Sequence, residues 1–231
     1  MSWIFDFYRS PMGRKAVMAV TGIVLFGFVV GHMMGNLKIY KGQEALDHYA
    51  EGLRQIGDPV FGPSELLWVA RAGLLLCLVL HLHAAITLTQ LNRGARGGQR
   101  YAKTTPQAST AASRSMIVSG VILLVFVVYH LLHLTIGTPD IHPNFQEGQV
   151  YHNVVTGLGS PIAAAFYVFA NIALAFHLYH GVWSLFQTLG FADPRWTGIR
   201  QKVSLAFAIL VAGVNISFPV AILTGFVKLG G

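Results

Sequence analysis

The chain has 231 residues, of which 54% are apolar and only 11% charged, with a mean hydropathy of +0.56. That excludes an ordinary soluble domain and predicts an integral membrane protein. The formal charge of +7 would suit nucleic acid, but its distribution, given below, excludes that partner. The single cysteine, Cys77, lies in an apolar run, which leaves no disulfide framework and no iron–sulfur cluster to be built on this chain.

In chain order, Trp3, Phe5, Phe7 and Tyr8 read as an interfacial aromatic anchor ahead of the first apolar run. That run, roughly 15–37, is too long for a signal-peptide core and has no convincing cleavage site, so a retained span is expected. In the loop 38–64, Ala45, Leu46, Tyr49, Leu53 and Ile56 recur at helical spacing against Glu44, Asp47, His48 and Glu51. That pattern predicts a short amphipathic surface helix. Further spans are expected at roughly 65–91, 115–136, 161–188 and 203–227, each long enough to cross a bilayer. The link 92–113 is polar and reads as irregular, and no internal repeat stands out. The expected fold is an all-α integral membrane protein, with residues 1–231 forming a single membrane domain of five transmembrane helices in a bundle.

Basic residues mark the sides. Arg9, Arg14, Lys15, Arg93, Arg96, Arg100, Lys103, Arg114, Arg195, Arg200 and Lys202 fall on one side and make up 11 of the 16, whereas seven of the nine acids fall on the other. The positive-inside rule then puts the N-terminus in the cytoplasm and the C-terminus outside. A basic inner surface of this kind could also dock an acidic partner.

Four spans carry a histidine at matched depth. His32, His81, His130 and His177 lie 17, 16, 16 and 16 residues after Lys15, Glu65, Arg114 and Pro161. Each is therefore about 24 Å along its helix, in a core about 30 Å thick. Because successive spans run in opposite directions, His32 and His130 share an outer level and His81 and His177 an inner one. Intramembrane ionisable side chains are costly and usually functional. Two neutral imidazoles from facing helices are the ligand set of a six-coordinate b haem iron, so two haem b groups are expected. His83 competes with His81; the small neighbours Cys77, Ala84 and Ala85 favour His81, and His83 stays open as the alternative. The second members of two further doublets, His133 and His180, could donate to a propionate or a quinone. His48, His142 and His152 read as solvated loop histidines.

The order of motifs adds to this. Met18-Ala19-Val20-Thr21-Gly22 and Gly31-His32-Met33-Met34-Gly35-Asn36 stand in the first span, and Ala45 to Gly52 in the loop after it. His81 with Ala85 and then Leu91-Asn92-Arg93-Gly94-Ala95-Arg96 follow. Phe126 to His133 marks the third span, Phe176 to Ser184 the fourth. In this order and spacing the chain resembles the cytochrome b558-type membrane anchor subunit of bacterial succinate dehydrogenase and fumarate reductase, over nearly its whole length. The resemblance implies His32 with His130 on a distal haem, His81 with His177 on a proximal haem, and residence in the bacterial cytoplasmic membrane. It implies two partners: a flavoprotein carrying covalent FAD, where succinate and fumarate interconvert, and a subunit with three iron–sulfur clusters. Electrons would pass through this chain to a quinone, expected to be menaquinone, with no dicarboxylate chemistry here. A quinone site also needs protons, and Glu51 and Glu65 are the leading donors on the outer side. Two rival readings are a diheme cytochrome b of another quinone-linked dehydrogenase and a transporter with a histidine proton relay.

Overall fold

The computed structural model describes residues 2–94, 116–191 and 193–230. Its elements are α1 (Ser2–Arg9), α2 (Pro11–Asn36), α3 (Gln43–Arg54), α4 (Glu65–Gly94), α5 (Met116–His130), α6 (Val150–Leu158), α7 (Pro161–Thr188) and α8 (Thr197–Leu223). Among the described residues there are no strands, and five helical stretches are long and apolar enough to cross a membrane: Pro11–Lys41, Glu65–Leu91, Met116–Ile136, Pro161–Thr188 and Pro194–Leu223. The protein is thus a helical membrane bundle. Its outward surface is correspondingly apolar: Val20, Val24, Leu75, Val79, Val121, Val125, Ile209 and Leu210 all point outward, as lipid rather than water demands.

The first span begins earlier than its apolar run. Ser10 accepts a hydrogen bond from the Gly13 N–H at 3.0 Å, and Pro11 occupies the first helical position, where its missing N–H costs nothing. Arg14 and Lys15 therefore lie inside the helix. The fifth span is likewise displaced toward the N-terminus. It opens with the polar turn at Thr197 and stops at Leu223, because Gly225 turns the chain at φ 76°. Tyr8, expected at the membrane interface, folds back from α1 and stacks on the exposed His83, with ring centroids 5.7 Å apart. The expected irregular link is described only to Gly94, where α4 ends; 95–113 lies outside the described residues.

Packing divides the spans into α2 against α4 and α5 against α7, with α8 laid along α7. Two connections on one side, here termed the loop side, carry short helices. The amphipathic helix expected near 45–56 is α3, which buries Leu46. The second, α6, was not expected; Tyr151, Val155 and Leu158 at i, i+4 and i+7 form its buried face. Asp47 Oδ1 joins the two helices by accepting the Tyr151 N–H at 2.8 Å, which satisfies an orphan donor at the start of α6. The loop-side core of Ile39, Leu46, Tyr151, Val155, Leu158, Tyr167 and Phe218 caps the bundle.

Candidate functional site: two histidine pairs in the helix bundle

Four histidines from four different spans meet in two pairs. The rings of His32 (α2) and His130 (α5) lie 5.9 Å apart at 84°, and those of His81 (α4) and His177 (α7) 6.5 Å apart at 57°. Among the described residues, neither α2 with α5 nor α4 with α7 is an extensively packed helix pair. The imidazoles are what approach across the bundle.

Hydroxyl groups orient three of the four rings. The Thr21 hydroxyl donates to the Val17 carbonyl at 2.7 Å, so its lone pair accepts the His81 Nδ1–H at 3.1 Å. The Ser119 hydroxyl likewise donates to the Met116 carbonyl at 3.0 Å and accepts from His177 Nδ1 at 3.4 Å. With the proton on Nδ1, the neutral ring keeps its lone pair on Nε2. The next residue after each hydroxyl is a glycine. A Cβ on Gly22 would stand 3.4 Å from His81 Cε1, and one on Gly120 would stand 3.7 Å from His177 Cε1.

These hydroxyls also set the distance between the pairs. Thr21 precedes His32, and Ser119 precedes His130, by eleven residues. Eleven residues advance about 16 Å and return to within about 20° of the same face. α2 and α5 thus each give a hydroxyl and a glycine to one pair and a histidine to the other. The motif Thr21-Gly22 with His32 is repeated as Ser119-Gly120 with His130.

The loop-side pair has a further arrangement behind it. Past His130 the helix widens into a π turn, Leu131–Ile136, a distortion common at functional sites, and His133 is only 1% exposed. The Tyr167 hydroxyl lies 3.1 Å from Nδ1 of His130 and 3.1 Å from Nδ1 of His133. One hydroxyl proton can serve only one of them, so one ring donates and the other accepts. His142, expected in solvent, is 3% exposed. Its Nδ1–H donates to the His133 carbonyl at 3.1 Å, and its Nε2 faces Thr156 Oγ1 at 3.0 Å. The reason for its burial is packing: Gly157 leaves room for both rings, since a Cβ there would stand 2.8 Å from His133 Nε2 and 3.1 Å from His142 Cε1.

Other candidates fall elsewhere. His83 points away from His177, toward the Tyr8 hydroxyl. His180 lies one turn beyond His177 on α7. Glu51 is exposed on α3, bonded by Arg54 at 3.0 Å and Gln55 at 3.3 Å. Glu65 is exposed in the first turn of α4, where the helix dipole favours a carboxylate.

Chemically, the pairs suit a haem. A metal–imidazole bond is about 2 Å, so two rings on one iron have centroids roughly 6 Å apart, as both pairs do. Among the described residues there is no group of three or more His, Cys, Asp or Glu able to hold a metal. Two imidazoles leave four positions of a six-coordinate iron to be filled, and a porphyrin would supply them.

No curated protein and no solved structure matches the chain. The family model for the succinate dehydrogenase/fumarate reductase transmembrane subunit matches residues 97–215, just over half of the sequence. The match includes His130, Tyr167 and His177, whereas His32 and His81 precede it. With that match and five spans in one helical bundle, the chain belongs to the succinate dehydrogenase/fumarate reductase transmembrane subunit family.

Proposed function

We propose that the chain is the cytochrome b membrane-anchor subunit of a succinate:quinone oxidoreductase, working as a succinate dehydrogenase or fumarate reductase in the bacterial cytoplasmic membrane. Residues 1–231 act as one membrane domain, with the N-terminus cytoplasmic and the C-terminus outside. Its main support is the meeting of four histidines in two pairs whose ring separations of 5.9 and 6.5 Å suit bis-imidazole iron. His32 and His130 hold the distal haem b near the loop side, and His81 and His177 the proximal one. When bound, the haems supply one-electron transfer between the iron–sulfur subunit and the quinone.

The chain's own residues do the rest. Thr21 and Ser119 hold the proximal imidazoles with Nε2 free, and Tyr167 does the same for His130. Such outer partners orient a ligating ring and raise its basicity. The basic face, with 11 of the 16 Lys and Arg residues, receives the iron–sulfur and flavoprotein subunits. On the loop side a quinone, menaquinone in this reading, is served by Glu51 and Glu65 as proton carriers. Their exposure keeps them in exchange with water.

Purification of the chain with its partners, followed by a pyridine haemochrome assay, tests the reading. Two haem b per chain and co-purification of a flavoprotein are expected. A stoichiometry of one or zero would overturn the two-pair model.

A further inference from the structure

Tyr167 and His133 have no part in the ligand set, yet both are buried; Tyr167 is bonded to His130 and His133 to Tyr167. We propose that they are positioning residues which act in series on the distal haem through His130, an inference that rests on the haem reading above. If His130 binds iron through Nε2, its proton is on Nδ1 and is donated to the Tyr167 oxygen at 3.1 Å. The Tyr167 O–H is then directed to His133 Nδ1 at 3.1 Å. His133 in turn is held by the buried His142, which donates to its carbonyl at 3.1 Å, and by Gly157 against its ring.

The direction of this chain has an electronic consequence. A hydroxyl that donates to an imidazole nitrogen becomes a better acceptor itself. It therefore draws the His130 proton more strongly and makes that ligand more electron-rich, which favours the oxidised iron. Among the described residues the proximal pair has no such second base. Thr21 and Ser119 spend their protons on backbone carbonyls, so this device acts on one pair only.

The test is a redox titration of the purified complex, following haem absorbance, with the distal step identified as the one lost in His32→Ala. Tyr167→Phe keeps the ring in the loop-side core and removes only the hydroxyl. The distal step is expected to move to more positive potential by about tenfold in its reduction equilibrium, about 59 mV for one electron, with the proximal step unmoved. His133→Leu is expected to shift it the same way by less. The double variant should go no further than Tyr167→Phe, because residues in series are not additive. Two haems with an unmoved distal step, or additive effects, overturn the inference and leave the haem reading intact. Should Tyr167→Phe lose the distal haem, His133→Leu carries the test, and an unmoved step there overturns it. A wild-type complex without two haems overturns the haem reading itself.

Discussion

Thr21 accepts the Nδ1–H of His81 at 3.1 Å from the same helix that supplies His32 to the other pair. Each of α2 and α5 thus serves both levels, and a hydroxyl on either can be removed without touching a ligand. Thr21→Val should take this acceptor from the half-buried His81 ring at a cost of about 1 kcal/mol. It should be read as lower thermal retention of the proximal haem and a more positive proximal potential, with the distal step unchanged. Ser119→Ala should act in the same direction but more weakly, since its contact is longer at 3.4 Å. Equal shifts of both steps would sink the assignment.

Ligand replacement gives the coarser test. His32→Ala or His130→Ala should remove the distal haem and leave the proximal one, and His81→Ala or His177→Ala should do the reverse. His83→Ala should keep both haems, because its ring stacks on Tyr8 and not on His177. Haem content and low-temperature optical spectra of the five variants decide this. Loss of the proximal haem in His83→Ala, with retention in His81→Ala, would reverse the choice within that doublet.

The spans and the meeting of His32 with His130 and of His81 with His177 were legible in the sequence. Hydropathy fixes where helices cross, alternation fixes direction, and 16 or 17 residues from the start of a span fix depth. Depth needs no knowledge of neighbours. The repeat of Thr21-Gly22 and Ser119-Gly120, each eleven residues before its histidine, was also on the page. A hydroxyl and a glycine in an apolar helix are too common to stand out until the ring opposite them is known. His142 was not legible at all. A histidine in a polar loop defaults to water, and only the fold brings Gly157 to the place where it can be buried. Tyr167 gave no signal either, because an aromatic side chain in an apolar span reads as packing.

Gly157 offers a stability test away from any ligand. Its Cβ would stand 2.8 Å from His133 Nε2 and 3.1 Å from His142 Cε1, and both rings are buried. Gly157→Ala should cost about 1–3 kcal/mol by overpacking, seen as a lower midpoint of thermal unfolding in detergent. Gly213→Ala, where an added Cβ meets nothing within 4 Å, is the control and should be neutral or slightly stabilising. Equal behaviour of the two variants would contradict the tight packing of the His133 and His142 rings.

The proposed outer quinone site is tested by separating electron delivery from quinone turnover. His32→Ala should block succinate:quinone activity while an artificial acceptor, reduced directly by the soluble subunits, still supports succinate oxidation. Glu51→Gln and Glu65→Gln should each slow quinone turnover with both haem spectra unchanged, since proton transfer by a placed carboxylate contributes about 10²–10⁴-fold to rate. Full quinone activity in His32→Ala would move the quinone site to the proximal side.

The eleven-residue register of Thr21 with His32, and of Ser119 with His130, also sets an electrical quantity. About 16 Å between the pairs is roughly half of a hydrocarbon core about 30 Å thick. A negative charge passing from one pair to the other therefore crosses roughly half of the transmembrane voltage, about 1.2 kcal/mol for each 100 mV. With the proposed haems in place, the helix pitch would make the bundle a voltage divider: the electron equilibrium between them would respond to the energised state of the membrane even when every residue stays where it is.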